Sequence, residues 1–307
     1  QIDWWLILPA VALGGAGLVT MDSFVTPNYF FSRQIIWLSL ALVTTISLSF
    51  IDFRFLRRSG IVVIVYVVLL LLLVTLLLFG QSIRGARGWF SFGAFSLQPA
   101  DFVKLSLILI LAKYFSRRHI AIAHIRHILV SGFYALLPFV LILLQPDFGS
   151  AVIIFTIWLG MIMVSGVSKK HLLFVAGVAI ITLGVLWFGV FTGNQKNRIS
   201  SFIHPLADIQ GAGYNAFQST IAVGSGQIIG KGVGFGTQSR LRFLPEYQTD
   251  FIFAAFAEEW GFIGVLIFFT LFSLVIWRII KISLLGATNF EILFGVGFII
   301  FLMSHFA

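Results

Sequence analysis

From Ile61 to Phe79 the chain reads IVVIVYVVLLLLLVTLLLF, with no charged side chain. A helix needs about 20 such residues to cross ~30 Å of hydrocarbon. Comparable runs recur along the sequence. They predict about nine membrane helices, near Trp4–Met21, Gln34–Ser49, Gly60–Phe79, Phe102–Phe115 and Ile128–Leu144, then Ser150–Ser165, His171–Phe191, Asp250–Ile280 and Phe290–Phe306. Composition agrees: 59% of residues are hydrophobic and 10% charged, against roughly 25% charged in soluble domains. Lipid must therefore solvate much of the surface. The predicted fold is an all-α polytopic membrane protein, with residues 1–307 as one transmembrane domain. A long extracytoplasmic loop, 192–249, separates the seventh and eighth helices. Trp4–Thr20 reads as a first membrane helix rather than a signal peptide, because Asp3 precedes it and no cleavage site follows.

Basic residues set the orientation. One set of loops carries Arg54, Arg57, Arg58, Lys113, Arg117, Arg118, Arg126, Lys169, Lys170, Arg278 and Lys281; the opposite short loops carry Arg33, Arg84, Arg87 and Lys104. This places the N-terminus in the cytoplasm and 192–249 outside. That loop still holds Lys196, Arg198, Lys231, Arg240 and Arg242. External cations that defy the charge rule call for another reason, and a phosphorylated substrate is one. The net charge of +9 fits either cytoplasmic anchoring or an anionic ligand. With no cysteine, disulfides and thiolate metal sites are excluded.

Polar residues gather at the predicted outer boundary. In Gln98-Pro99-Ala100-Asp101-Phe102-Val103-Lys104, proline suits a first helical turn and Asp101 complements the helix dipole. Asp101 and Lys104 stand three apart and can pair, so the plain reading is a cap with a local ion pair. In Gln145-Pro146-Asp147-Phe148-Gly149-Ser150, the plain reading is a tight turn with Asp147 capping the next helix. Glycines at 211, 213, 224, 226, 230, 232, 234 and 236 mark a packed irregular loop, a lid, or backbone brought close to a ligand. Asp250 stands where this loop enters the membrane. It is either an N-cap or a carboxylate suited to take a proton. Glu258 and Glu259 fall inside the eighth predicted helix, and an ionisable group at membrane depth marks a candidate functional site.

The stretch Phe243–Gly261, FLPEYQTDFIFAAFAEEWG, resembles the signature of the SEDS family (shape, elongation, division and sporulation). The segments Gln218–Gly226 and Gly230–Gly232 fit the same family, as do "GARGW", "QPADFVK" and "QPDFGSA" in order. Gly236-Thr237-Gln238-Ser239 looks closer to the RodA branch than to the FtsW branch. Three positions depart from the pattern: Asp101 where the family often has Glu, Ala100 where it has Ser, and Gly88 in place of a second Arg.

The resemblance implies a ten-helix peptidoglycan glycosyltransferase in the bacterial cytoplasmic membrane, its tenth helix lying past Ala307 and its active site facing outside. Such an enzyme polymerises lipid II during cell elongation. The acceptor 4-hydroxyl attacks the donor anomeric carbon with inversion, and polyprenyl pyrophosphate leaves. Asp250 is the expected base. Arg87, Lys104, Arg198, Lys231 and Arg242 are candidate pyrophosphate partners. Asp101 would hold Lys104 in place. Trp89 would cover a sugar face or anchor the interface, and Gln98 and Glu246 join the candidate substrate contacts by their place in the matched motifs. A divalent cation, Mg or Mn, could ride on the pyrophosphate, but no carboxylate cluster demands one. Expected partners are lipid II, polyprenyl-pyrophosphate-linked glycan, a class B penicillin-binding protein and membrane lipid, with no nucleic acid. The alternatives are a lipid II flippase, which would place polar sites at the midplane, and a non-catalytic scaffold.

Overall fold

The computed structural model describes residues 3–23, 29–53, 55–56, 60–80, 88–92, 95–117, 125–190, 193, 196, 200, 211 and 213–306. Eleven α-helices and one hairpin appear among them. In order they are α1 (Trp4–Asp22), α2 (Tyr29–Ser49), α3 (Ile61–Phe79), β1 (Phe90–Phe92), β2 (Phe95–Leu97), α4 (Pro99–Ser116), α5 (Ile125–Leu144) and α6 (Phe148–Val164). There follow α7 (Lys169–Val185) with a π-helical turn over Leu186–Val190, α8 (Tyr214–Ser225), α9 (Thr237–Arg240), α10 (Ile252–Leu284) and α11 (Asn289–Ser304). Every predicted span has its helix. Among the described residues five helices are long and apolar enough to cross a membrane, and α6 and α11 are shorter apolar ones.

The sequence did not reveal two features. The hairpin pairs Phe90 with Leu97, Ser91 with Ser96 and Phe92 with Phe95. And α8 lies within the segment read as irregular loop. Its Ala222 packs with Leu244 and Ala254 in a small apolar cluster. Tertiary contact on its apolar face holds this short helix.

The chain divides into two compact units, Gln1–Ile51 with Ala179–Arg278, and Asp52–Val178 with Ile279–Ala307. In the second, α4 is central, packed by α3, α5, α6 and α11. Its Val103, Leu107, Ile108, Leu111 and Phe115 are fully buried. That is why α4 can carry more polar residues than a lipid-facing helix: protein, not lipid, surrounds it. Glycines let the neighbours close in. A Cβ on Gly297 would lie 2.6 Å from Ile108 Cγ2, and one on Gly160 would lie 2.6 Å from Ile300 Cδ1, the small-residue device of membrane helices. Gln145 Nε2 donates to the Leu73 carbonyl at 2.9 Å, tying the α5–α6 turn to α3.

In the first unit, α1 is fastened to α10 at both ends. Arg278 Nε donates to Asp3 at 2.8 and 3.0 Å, and its Nη2 lies 2.7 Å from Asp3 Oδ2. At the other end Ser23 Oγ donates to Glu259 Oε1 at 2.6 Å. Asp3 to Ser23 is about 30 Å of helix, as is Glu259 to Arg278. That matches the thickness of a bilayer's hydrocarbon. Glu259 therefore sits at the end of the apolar span rather than at its middle.

Candidate functional site

Within the second unit, helix starts build a polar cluster. Gln98 is the residue before α4, Pro99 occupies its first turn and Asp101 follows in that turn. The i,i+3 spacing brings Lys104 Nζ to 2.9 Å from Asp101 Oδ1, as the sequence predicts. The partners differ in exposure: Asp101's side chain is 50% exposed and Lys104's 2%. A buried ammonium carries three donors, and among the described residues Asp101 takes one. Asp147 caps α6 by accepting from Ser150 N at 3.0 Å, which bears out the capping reading. It also accepts from Gln98 Nε2 at 3.1 Å. This bond joins the two polar motifs across 49 residues, beyond the reach of any sequence period. Trp89, beside the hairpin, is exposed.

Within the first unit the glycine-rich segment has an internal use. Gly261 breaks α10, with φ 64° and ψ −167°. In an unbroken helix Phe262 N and Ile263 N would donate to the carbonyls of Glu258 and Glu259. Here they donate to Gln227 O and Ile228 O at 2.9 and 3.0 Å, while Lys231 N and Gly232 N donate to Glu258 O and Glu259 O at 3.0 Å each. Residues 227–232 are thus inserted into the gap in the helical ladder, and every displaced backbone group is re-paired. The fit leaves no room for side chains. A Cβ on Gly230, at φ 81°, would lie 2.1 Å from Glu259 O, and one on Gly226 would lie 2.1 Å from Ala257 O.

The two glutamates secure the same segment. Glu258, fully buried, accepts from Lys231 Nζ at 2.8 Å, Thr237 Oγ1 at 3.1 Å and Gln238 N at 3.0 Å. Glu259 Oε1 accepts from Gly234 N at 3.0 Å besides Ser23. Lys231, a predicted phosphate partner, is therefore engaged by Glu258 and by Thr237 at 2.7 Å, with its side chain 28% exposed.

Asp250 contrasts with them. It is exposed, lies in the turn before α10 rather than capping it, and its carboxylate accepts no hydrogen bond among the described residues. The turn is fixed around it: Thr249 N and Phe251 N both donate to Glu246 O, at 3.1 and 3.2 Å, and Thr249 Oγ1 donates to Glu246 Oε2 at 3.1 Å. Glu246 thus shapes the turn that presents Asp250. Arg242 is exposed, with φ 58°. Arg87 and Arg198 lie outside the described residues. Among the described residues, no three carboxylate or imidazole groups gather as a metal site.

The helices define a polytopic helical membrane protein, with polar side chains gathered at the limits of its spans. The chain belongs to the FtsW/RodA/SpoVE cell cycle protein family, whose model matches residues 2–307. It is 35% identical over 294 residues to the probable peptidoglycan glycosyltransferase FtsW of Nitrosococcus halophilus (strain Nc4), covering 92% of this chain and 75% of that protein. Its fold matches that of the rod shape determining protein RodA of Thermus thermophilus, with TM-score 0.71 and 28% identity over 98% of this chain and 81% of that one. A chain from a peptidoglycan synthase complex, studied for the coordination of polymerization and crosslinking, matches with TM-score 0.82 and 29% identity, over 98% of this chain and 84% of that one.

Proposed function

We infer that this chain is a peptidoglycan glycosyltransferase that joins lipid II units into glycan at the outer face of the cytoplasmic membrane. In the step envisaged, the acceptor 4-hydroxyl loses its proton to Asp250. Its oxygen forms a bond to the donor anomeric carbon. The carbon–oxygen bond to the polyprenyl diphosphate breaks, and the electron pair stays with the departing oxygen. The observation that carries this reading is Asp250, an accessible carboxylate with no hydrogen-bond partner among the described residues, held at the end of an apolar span. A base must be free to receive a proton, and this one is. Asp250 lies nine residues before Glu259, on the far side of the boundary that Ser23 and Glu259 mark. A sugar in water can meet it there while a lipid tail stays in hydrocarbon.

Lys104 is a candidate cation for the diphosphate. Its ammonium, buried beside Asp101 with donors to spare, suits a diphosphate, and Arg242, Arg87 and Arg198 are further candidates. Gln98 and Trp89 border the same stretch. The segment Gly236–Ser239 favours the RodA branch, and with it a role in cell elongation. A penicillin-binding transpeptidase is the expected partner, in keeping with the synthase complex that this chain resembles. Glu258 and Glu259, the ionisable groups inside the eighth predicted helix, are engaged in anchoring the loop.

The test is polymerisation of labelled lipid II by the purified full chain, with products resolved on a gel. Asp250→Asn should abolish glycan formation, by roughly 100-fold or more, while the protein remains folded. Glycan synthesis by Asp250→Asn at the wild-type rate would remove the base assignment.

A further inference from the structure

The second unit places one more titratable side chain beside Asp101 and Lys104. Helices α4 and α11 cross where Gly297 admits Ile108. From that crossing Asp101 lies seven residues back along α4, and His305 eight residues on along α11. Those distances are about 10 and 12 Å, so with the helices antiparallel the two residues stand at one level. The helices α4 and α11 are the fourth and ninth predicted spans, so successive crossings make them antiparallel. The ring is steered by Phe301, one turn earlier on α11, in an edge-to-face contact at 4.7 Å between centroids. His305 follows the last residue of α11 and is exposed.

We propose that His305 is a substrate-contacting residue of the glycosyl transfer, donating an imidazole N–H to the diphosphate leaving group beside Lys104. The proposal rests on the glycosyltransferase reading above and adds a residue to it. A neutral imidazole keeps one N–H to donate. A neutral donor suits this position. Asp101 and Lys104 already cancel in charge, and the diphosphate gains its extra negative charge only as the carbon–oxygen bond breaks. A fixed N–H aimed at that oxygen strengthens as the charge develops, so it favours the transition state over bound substrate. His305 transfers no proton in this step; Asp250 takes the one released by the acceptor.

Two measurements on the purified full chain test the assignment: polymerisation of labelled lipid II, and binding of polyprenyl diphosphate in detergent. His305→Ala should lower kcat roughly 10- to 100-fold with little change in KM. It should also weaken diphosphate binding about tenfold. His305→Gln, which keeps an N–H donor, should recover most of both. Wild-type behaviour of His305→Ala in both assays, or Gln no better than Ala, overturns the proposal and leaves the glycosyltransferase reading standing. A wild-type chain that binds diphosphate through His305 yet makes no glycan overturns the enzyme reading, while the contact stands.

Discussion

At the scale of single residues, the acidic side chains near α10 divide by what they touch. Glu258 is closed in and multiply paired; Asp250 is open and, among the described residues, unpaired. Breaking a fully buried ion pair on one side costs about 3–5 kcal/mol. Lys231→Met should cost less, about 2 kcal/mol, because Thr237 and Gln238 still donate to Glu258. Thermal unfolding in detergent would measure it. A double-mutant cycle with Glu258→Gln should give a coupling of ~1 kcal/mol or more; strict additivity would mean the pair contributes nothing. The Asp101–Lys104 pair and the Asp147 cap were legible in the sequence because each is local. Gln98 to Asp147, Lys231 to Glu258 and Ser23 to Glu259 were not, since each joins residues that only the folded chain brings together. Glu258 and Glu259 were the hardest to read. Carboxylates inside an apolar stretch suggest a transport site until the loop donors that bind them are seen.

At the scale of elements, the broken helix α10 and the segment inserted into it form one unit of structure. Gly230→Ala should cost well over ~1 kcal/mol, because its Cβ would strike the Glu259 carbonyl and its φ is positive. The segment around 227–236 should then become sensitive to limited proteolysis. Gly177→Ala in α7, where the new methyl meets open space, serves as the neutral control. Resistance equal to wild type in Gly230→Ala would contradict the close packing. The glycine run was visible in the sequence, but its three readings could not be separated there. What glycine admits here is another stretch of main chain, and main-chain partners leave no trace in residue type.

At the scale of the whole molecule, the spans were the most legible feature, since hydrocarbon imposes one length on every helix that crosses it. Their pairing was not legible, because apolar faces look alike. The ties at the two ends of α1 supply part of it. The Arg278 hydrogen bond holds the Asp3 carboxyl below its usual pKa. Its contribution to stability is therefore complete above the unfolded value of ~3.9. It is lost as pH falls through the lower folded value. Asp3→Asn should remove this acid-sensitive part, ~1 kcal/mol or less for a partly exposed pair. Unfolding followed between about pH 2 and 5 should show a flatter profile for the variant; identical profiles would deny the tie any energetic weight.

The double fastening also limits how this part of the protein answers to its bilayer. A membrane thicker or thinner than its hydrophobic length is commonly met by tilt or by local deformation of the lipid. Slippage of α1 along α10 is closed as a third response, because it would pull apart the Arg278 and Ser23 contacts together. The two helices must lean as a single strut, carrying the Asp250 turn with them, so lipid thickness becomes a variable that bears on where that carboxylate stands.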